Sequence, residues 1–280
     1  MIARSFAAKM LQSWAVVTVR LTAMSKRTEP SNSRFFNDDE LSEGEFQVQQ
    51  KLAIKLPQLK SDHARRHLSE GLGRRLYMME SSRVFIREKL GPNRRQTLER
   101  YLAIEVNVHV NSFYSNLAGS LDNLAWTLFY ECQLQRNPDE DTNEHRRYCG
   151  LFKKQFLTDL EAHKPELVAK LKKYVDWRRN VSKFRDPGAH RIPLYVPPGV
   201  VDPKDQERFS QLYSKAFTHA AANRGRMDWS LMAEADDLAK FQDVMVLSGT
   251  EELRTFHFTA QLAQDYETLL WLSERVVDSL

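Results

Sequence analysis

Apolar residues recur at spacings of three and four along most of this chain, a pattern typical of amphipathic helices. One such stretch runs from about Asp62 to Leu90 and carries Leu68, Leu72, Leu76 and Met79. A longer one runs from about Arg94 to Gln135, with its stripe at Leu98, Leu102, Val106, Phe113, Leu117, Leu121, Leu124 and Leu128. The final stretch, residues 251–280, is predicted to bury Leu262, Tyr266, Leu269, Leu270 and Val277.

Shorter elements are predicted between these helices. "FKKQFLTDLEAH" and "PELVAKLKKYVDWRRNVSKFR" form a helical pair, with Pro165 where a helix begins. Residues 202–225 predict a helix closed by glycine, and residues 241–249 predict a short extended segment. Long helices joined by short polar loops predict an all-α, up-and-down helical bundle, here one domain over residues 39–280. A short irregular or extended stretch is expected after residue 190.

The N-terminal segment, residues 1–38, differs from the rest. Its first 28 residues hold five basic residues and no acidic one, around the apolar run "LQSWAVVTV". That run is too short and too polar to span a bilayer. We predict a flexible segment that resembles a poor signal or transit peptide, or alternatively an over-extended start with the true beginning near Met24.

Composition limits the class of protein. Apolar residues make up 42% of the chain, enough for a core, and ten glycines and ten prolines are few for 280 residues. Cys132 and Cys149 form no disulfide framework, so we expect a reducing, cytoplasmic location. Cys132 lies in an apolar helical pattern and is interpreted as core packing.

Several kinds of chemistry are missing from the sequence. It has no GxxxxGK[ST], GxGxxG, HExxH, CxxC or GxSxG motif, so no cofactor is predicted. His63 and His67 stand four residues apart and can present two metal ligands on one helix face. Arg65 and Arg66 beside them make that face poor for a cation, so no metal is predicted either.

The candidate site lies where a basic helix meets "RDPGAH", residues 185–190. From Lys172 to Arg191 there are seven basic residues against Asp176 and Asp186. Asp186 is a good N-cap and Pro187 suits a first helical position, which predicts a break at Asp186. In a continuous helix Arg185 and His190 would stand about 140° apart, whereas the break lets both face one pocket.

Such a pocket would suit a phosphate. His190 can take the proton of a ribose 2′-OH, and Arg185 can stabilise charge on the transition state, giving a 2′,3′-cyclic phosphate without a metal. The substrate would be bound by Arg178, Arg179, Lys183 and Arg191. The alternative is that His190 and Arg191 only cap or pack a turn, since the spacing alone is common by chance.

The wider context resembles a known family. "RDPGAH" resembles the Arg-polar-x-x-x-His motif of the HEPN superfamily, and residues 112–126, 184–198 and 256–276 resemble a bacterial HEPN-like helical-bundle branch with an RDxxAH motif. The resemblance covers roughly residues 95–280. It implies a homodimer whose two motifs share one cleft.

The same resemblance assigns roles to individual residues. Arg185 would be the anion stabiliser, Asp186 the polar motif residue and His190 the base. Asp122 and Asn123 would support the motif from the long helix, or would be a polar pair satisfied within the bundle. The expected function is a metal-independent endoribonuclease of toxin or defence type, with an antitoxin or other protein as a further partner. The alternative is a non-catalytic module that binds nucleotide, RNA or a partner protein.

Overall fold

The computed structural model describes residues 38–134, 143–190, 192–248 and 253–280. The predicted N-terminal segment, apart from Asp38, lies outside the described residues, as does Arg191. The helices of the described part are α1 Asp38–Lys55, α2 Asp62–Arg66, α3 Arg74–Leu90, α4 Arg100–Glu131, α5 Asn143–Tyr148, α6 Lys154–Glu161, α7 Pro165–Leu171, α8 Val175–His190, α9 Gln206–Ala222, α10 Trp229–Leu238 and α11 Phe258–Ser279. Short strands are β1 Val200–Val201, β2 Ala239–Lys240, β3 Met245–Ser248 and β4 Leu253–Phe256.

The all-α helical bundle predicted from the sequence is confirmed. The long helix α4 lies at its centre, packed against α3, α8, α11 and the π-helical turns His67–Gly73 that join α2 to α3. The predicted stripe of α4 is buried from Val106 to Leu128, as are the predicted stripes of α3 and α11. No helix in the described part of the chain is long and apolar enough to cross a membrane.

The start of α4 is six residues later than predicted. Residues 94–99 are not helical because their backbone bonds to other segments: Leu98 N–H donates to the Pro198 carbonyl at 2.8 Å, and Phe241 N–H donates to the Arg95 carbonyl at 2.9 Å. A tertiary contact therefore replaces the first turns that the apolar spacing favours.

A hairpin precedes the last helix. The extended segment predicted over residues 241–249 is confirmed in part, since β3 covers Met245–Ser248. The helix predicted over residues 253–256 is wrong, because these residues form β4 and pair with β3 from Met245↔Phe256 to Ser248↔Leu253. Asp243 then caps α11 by accepting the backbone N–H of Thr259 at 3.1 Å and its hydroxyl at 2.5 Å.

The stretch after residue 190 is extended, as predicted, and two asparagines of α4 hold it. The carboxamide of Asn111 accepts from Leu194 N–H at 3.1 Å and donates to the Leu194 carbonyl at 2.9 Å. Asn107 does the same for Val196, at 2.7 and 3.0 Å. Tyr195 between them pairs with Val246 of β3, so the segment is bonded on both edges.

We expect Asn107→Ala and Asn111→Ala each to lower the free energy of unfolding by about 1 to 2 kcal/mol, because each leaves two backbone groups without their partner. Urea unfolding measures the loss, and hydrogen exchange at the Leu194 and Val196 amides localises it. Asn180→Ala on the exposed face of α8 is the matched control, with a change within about 0.5 kcal/mol. Unchanged exchange at both amides would contradict the anchoring role.

A second, smaller hydrophobic cluster lies outside the main core. Helices α9 and α10 pack together with the β1–β2 pair around Val201, Phe209, Leu212, Ala235 and Ala239. This helical hairpin lies in sequence between the stretch that Asn107 and Asn111 hold and strand β3. The loop between α9 and α10 is basic and contains Gly225.

Candidate functional site

The helix that carries "RDPGAH" runs without a break. Helix α8 extends from Val175 to His190, so the predicted break at Asp186 is wrong. Pro187 removes one backbone donor, but the preceding turns are fixed by Val181 and Phe184, which are both buried in the core. The backbone positions of Arg185 and His190 therefore lie about 140° apart around one helix axis.

A different pair shares one face of α8. Arg178 and Arg185 stand seven residues apart, which places them within about 20° of each other and about 10 Å apart along the axis. The guanidinium of Arg178 donates to Ser182 Oγ, and that of Arg185 donates to Asp186 at 3.2 Å. The side chain of Arg185 is 40% exposed.

Both arginines act on Asp122 of α4. This carboxylate reaches solvent, yet the surrounding protein desolvates it enough to raise its pKa above the usual value. The positive charges of Arg178, Arg185, Lys153 and Arg75 oppose that rise. No ion pair or hydrogen bond links Asp122 to another side chain in the described ranges. We call Asp122 and these four cations the basic cluster.

Arg75 joins the basic cluster from α3. Its guanidinium donates to Asn116 Oδ1 at 3.1 Å and lies against Gly119 of α4. A Cβ at residue 119 would stand 2.4 Å from the guanidinium carbon, so any larger residue there displaces Arg75. Gly119 thus lets a long cationic side chain lie across the helix one turn before Asp122.

Lys153 joins it from the loop before α6. Its ammonium donates to the Arg147 carbonyl at 2.6 Å, which fixes the side chain while leaving it exposed. Cys149 lies nearby and is 7% exposed. Burial raises the pKa of this thiol and the charge of Asp122 raises it further, so Cys149 stays protonated and is a poor nucleophile.

The other predicted residues lie elsewhere. Arg179 pairs with Asp176 at 2.8 Å and Lys183 contacts Asn180 at 3.1 Å, both exposed on other faces of α8. Asn123 Oδ1 contacts His67 Nδ1 at 3.2 Å and its amide donates to the Gly119 carbonyl, so this residue is satisfied within the bundle. The two predicted supporting residues therefore differ: Asp122 lies near Arg178 and Arg185, whereas Asn123 bonds to His67 and to the backbone of α4.

Two members of the basic cluster were not predicted. Arg75 belongs to a basic stretch from Arg65 to Arg100 that contains ten lysines and arginines, with nothing local to single it out. Lys153 lies far from both Arg75 and Asp122 in sequence. Both come near Asp122 only in the folded protein, Arg75 because α3 packs against α4 and Lys153 because the loop before α6 lies close by.

The histidine pair has a structural role. His63 and His67 stack on Tyr130 with ring centroids 4.9 and 5.7 Å apart, and His67 also stacks on Trp126 at 5.7 Å. Within the described ranges no group of three or more His, Cys, Asp or Glu side chains is arranged to hold a metal ion. No family model, curated protein or solved structure matches this chain.

Proposed function

We propose that this protein binds RNA through the basic cluster, as a HEPN-like helical-bundle protein. One observation carries the proposal: four cations from three parts of the fold lie near enough to the solvent-facing Asp122 to lower its pKa, yet within the described residues none of them pairs with it directly. A structural salt bridge would bring one cation into contact with Asp122. Each cation uses at least one donor within the protein, as Arg185 does with Asp186, and its remaining N–H groups can bind an external anion.

The chemistry of the cluster suits a ribose-phosphate chain. Guanidinium groups donate in a planar fork that matches phosphate oxygens, and the roughly 10 Å between Arg178 and Arg185 along α8 separates two such contacts. Asp122 supplies an acceptor among these donors. A ribose 2′-OH can donate to it, which DNA cannot do. The resemblance to the HEPN superfamily supports the same ligand class.

The test is the affinity of the full chain for a labelled single-stranded RNA at about 0.1 M salt. We expect the Arg178→Gln, Arg185→Gln double variant to bind at least about tenfold more weakly, because two phosphate contacts are lost. The slope of log affinity against log salt should fall by about 0.7 per contact. The double variant Arg179→Gln, Lys183→Gln removes the same two charges from other faces of α8 and is the matched control.

A second arm of that assay uses the DNA strand of the same sequence. Asp122→Asn removes the carboxylate repulsion for both strands but weakens only the 2′-OH contact, so the preference for RNA over DNA should shrink. Equal losses in the Arg179→Gln, Lys183→Gln control and in the Arg178→Gln, Arg185→Gln variant would contradict the site. Binding of RNA and DNA with equal affinity by the wild type would contradict the role of Asp122.

RNA cleavage by Arg185 and His190 stays a prediction from the sequence. We put binding ahead of cleavage because a continuous α8 sets the backbone positions of Arg185 and His190 about 140° apart around the helix axis. Incubation of RNA in EDTA with wild type, Arg185→Ala and His190→Ala separates the two functions. A cyclic-phosphate product that both variants lose would establish cleavage. The homodimer and the antitoxin or other protein partner also remain proposals.

A further inference from the structure

The loop that joins α9 to α10 keeps an arginine in a backbone conformation that favours glycine. Arg224 has a φ of 54°, and Gly225 after it has a φ of 85°. Gly225 N–H donates to the Ala220 carbonyl at 2.8 Å, which closes α9 with a Schellman motif. In that motif the left-handed position is usually glycine, and here it is Arg224. The sequence offers a glycine, but one residue later.

The loop is fixed at both ends. Asn223 N–H donates to the His219 carbonyl at 2.9 Å, and Arg226 N–H donates to the Asn223 carbonyl at 3.1 Å. At the start of α10, Asp228 caps the helix by accepting from Ser230 N–H at 3.0 Å. The backbone positions of Arg224 and Arg226 are therefore fixed within this turn.

The arginine and tryptophan side chains at this turn are exposed, and the arginines have no acidic partner among the described residues. Trp229, the first residue of α10, is 73% exposed. Neither Arg224 nor Arg226 has an ion-pair partner in the described part of the chain. Among residues 214–232 the charged side chains are Lys215, Arg224, Arg226 and Asp228, and Asp228 is engaged as a cap. The acidic residues of α10 lie at its other end, at Glu234, Asp236 and Asp237.

We propose that Arg224, Arg226 and Trp229 form a second contact for single-stranded RNA, the RNA clip. A base stacks on the exposed indole while the two guanidinium groups bind the flanking phosphates. The inference rests on the proposed function only in taking RNA as the ligand. It shares no residue with the basic cluster.

The positive φ of Arg224, a non-glycine residue, supports a role for its side chain. Glycine at residue 224 would relieve the backbone at no cost to packing, since Arg224 is exposed. The exposed Arg224 side chain has no ion-pair partner in the described part of the chain, so its donors are open to a ligand.

A membrane surface fits the clip less well than RNA. Binding to anionic lipid is typical of clusters of about four to eight basic residues or of a broad apolar face. Here the loop offers two arginines, and Leu231 and Leu238 of α10 pack into the second hydrophobic cluster, leaving Trp229 alone. A single aromatic ring with two adjacent cations matches one unstacked base and its phosphates.

The test compares Arg224→Gly, Trp229→Ala and the control Arg208→Gln in the full chain. Arg208 lies on α9, exposed and paired with Glu234 at 2.7 Å, so its removal changes charge near the hairpin without touching the clip. The probe is a labelled RNA of about 12 nucleotides. We expect Arg224→Gly to raise Tm by about 2 °C while weakening RNA binding about threefold. Trp229→Ala should weaken it at least about fivefold, and Arg208→Gln should bind as wild type.

The outcomes separate the clip from the basic cluster. If Arg224→Gly and Trp229→Ala bind RNA like wild type while the Arg178→Gln, Arg185→Gln variant is weak, the clip is wrong and the proposed function stands. If only the clip variants are weak, the clip stands and the basic cluster is not the RNA site. Binding to vesicles of phosphatidylcholine and phosphatidylserine that depends on Trp229, without RNA binding, would overturn the clip.

Discussion

Arg83→Met is expected to lower the free energy of unfolding by about 3 to 5 kcal/mol, because it removes the cation from a buried ion pair. The Arg83 side chain is fully buried, and its guanidinium donates to Glu80 at 2.7 and 2.5 Å and to Ser42 Oγ at 2.9 Å. The ion pair lies within α3, and its hydrogen bonds with Ser42 join α3 to α1. Without Arg83, the Glu80 carboxylate stays largely buried with no opposite charge.

A second carboxylate makes the loss depend on pH. Burial raises the pKa of Glu45, the charge of Glu80 raises it further, and Arg83 lowers it. Removal of Arg83 therefore raises the pKa of Glu45 again. A carboxyl whose pKa is higher in the folded state than in the unfolded state lowers the stability of the fold as pH rises. The higher pKa of Glu45 in the variant makes this loss larger, so Arg83→Met should be less damaging near pH 5 than near pH 7.

Chemical denaturation at the two pH values measures both effects. Arg74→Met is the matched control, because Arg74 also lies on α3 but is 67% exposed in its pair with Glu70. Its loss should stay below about 0.5 kcal/mol. The double variant Arg83→Met, Glu80→Leu should recover part of the stability, since no lone charge remains. A single variant as stable as wild type would contradict the account.

Local spacing was sufficient to predict the helices that bury one face. Leu68 to Met79 and Leu262 to Val277 are buried as their periodicity indicates, because a helix needs only neighbours along the chain to define its apolar side. The strand β4 was missed for the opposite reason. Residues 253–256 become extended by pairing with β3, a partner that helical periodicity does not reveal.

The candidate site was predicted only in part. The sequence singles out Arg185 and, less sharply, Arg178, because both belong to a basic helix that ends at "RDPGAH". The predicted helix break at Asp186 is wrong, since Asp186 and Pro187 have the local preferences of a helix start while α8 continues through them. Arg75 and Lys153 come near Asp122 only when distant parts of the chain fold together, and no local rule for charged residues contains that information.

The buried carboxylate of Asp265 links the stability of the fold to the position of α8. Asp265 on α11 is 1% exposed, accepting from Trp177 Nε1 at 2.8 Å and from the Tyr114 hydroxyl at 3.1 Å. Trp177 directly precedes Arg178 of the basic cluster. Burial raises the pKa of Asp265 from 3.8 to about 6, and the hydrogen bonds from Trp177 and Tyr114 only partly offset the rise.

The sign of the resulting pH dependence follows from that pKa. Between the unfolded value of 3.8 and the folded value of about 6 the native state binds the extra proton, so this group stabilises the fold as pH falls. The whole difference is worth about 3 kcal/mol, of which about 2 kcal/mol arise between about pH 7.5 and about pH 4.5. Other carboxyls titrate in the same range, and a variant that differs only here isolates the effect.

We therefore expect Asp265→Asn to be more damaging at low pH than at neutral pH. Asparagine keeps the shape but does not titrate, so the stability of wild type relative to the variant should increase by about 2 kcal/mol on acidification from about pH 7.5 to about pH 4.5. Asp176→Asn, an exposed change on α8, should show no comparable increase. Parallel pH profiles for wild type and Asp265→Asn would mean that Asp265 is charged in the fold throughout, held by Trp177 and Tyr114 strongly enough to cancel its burial.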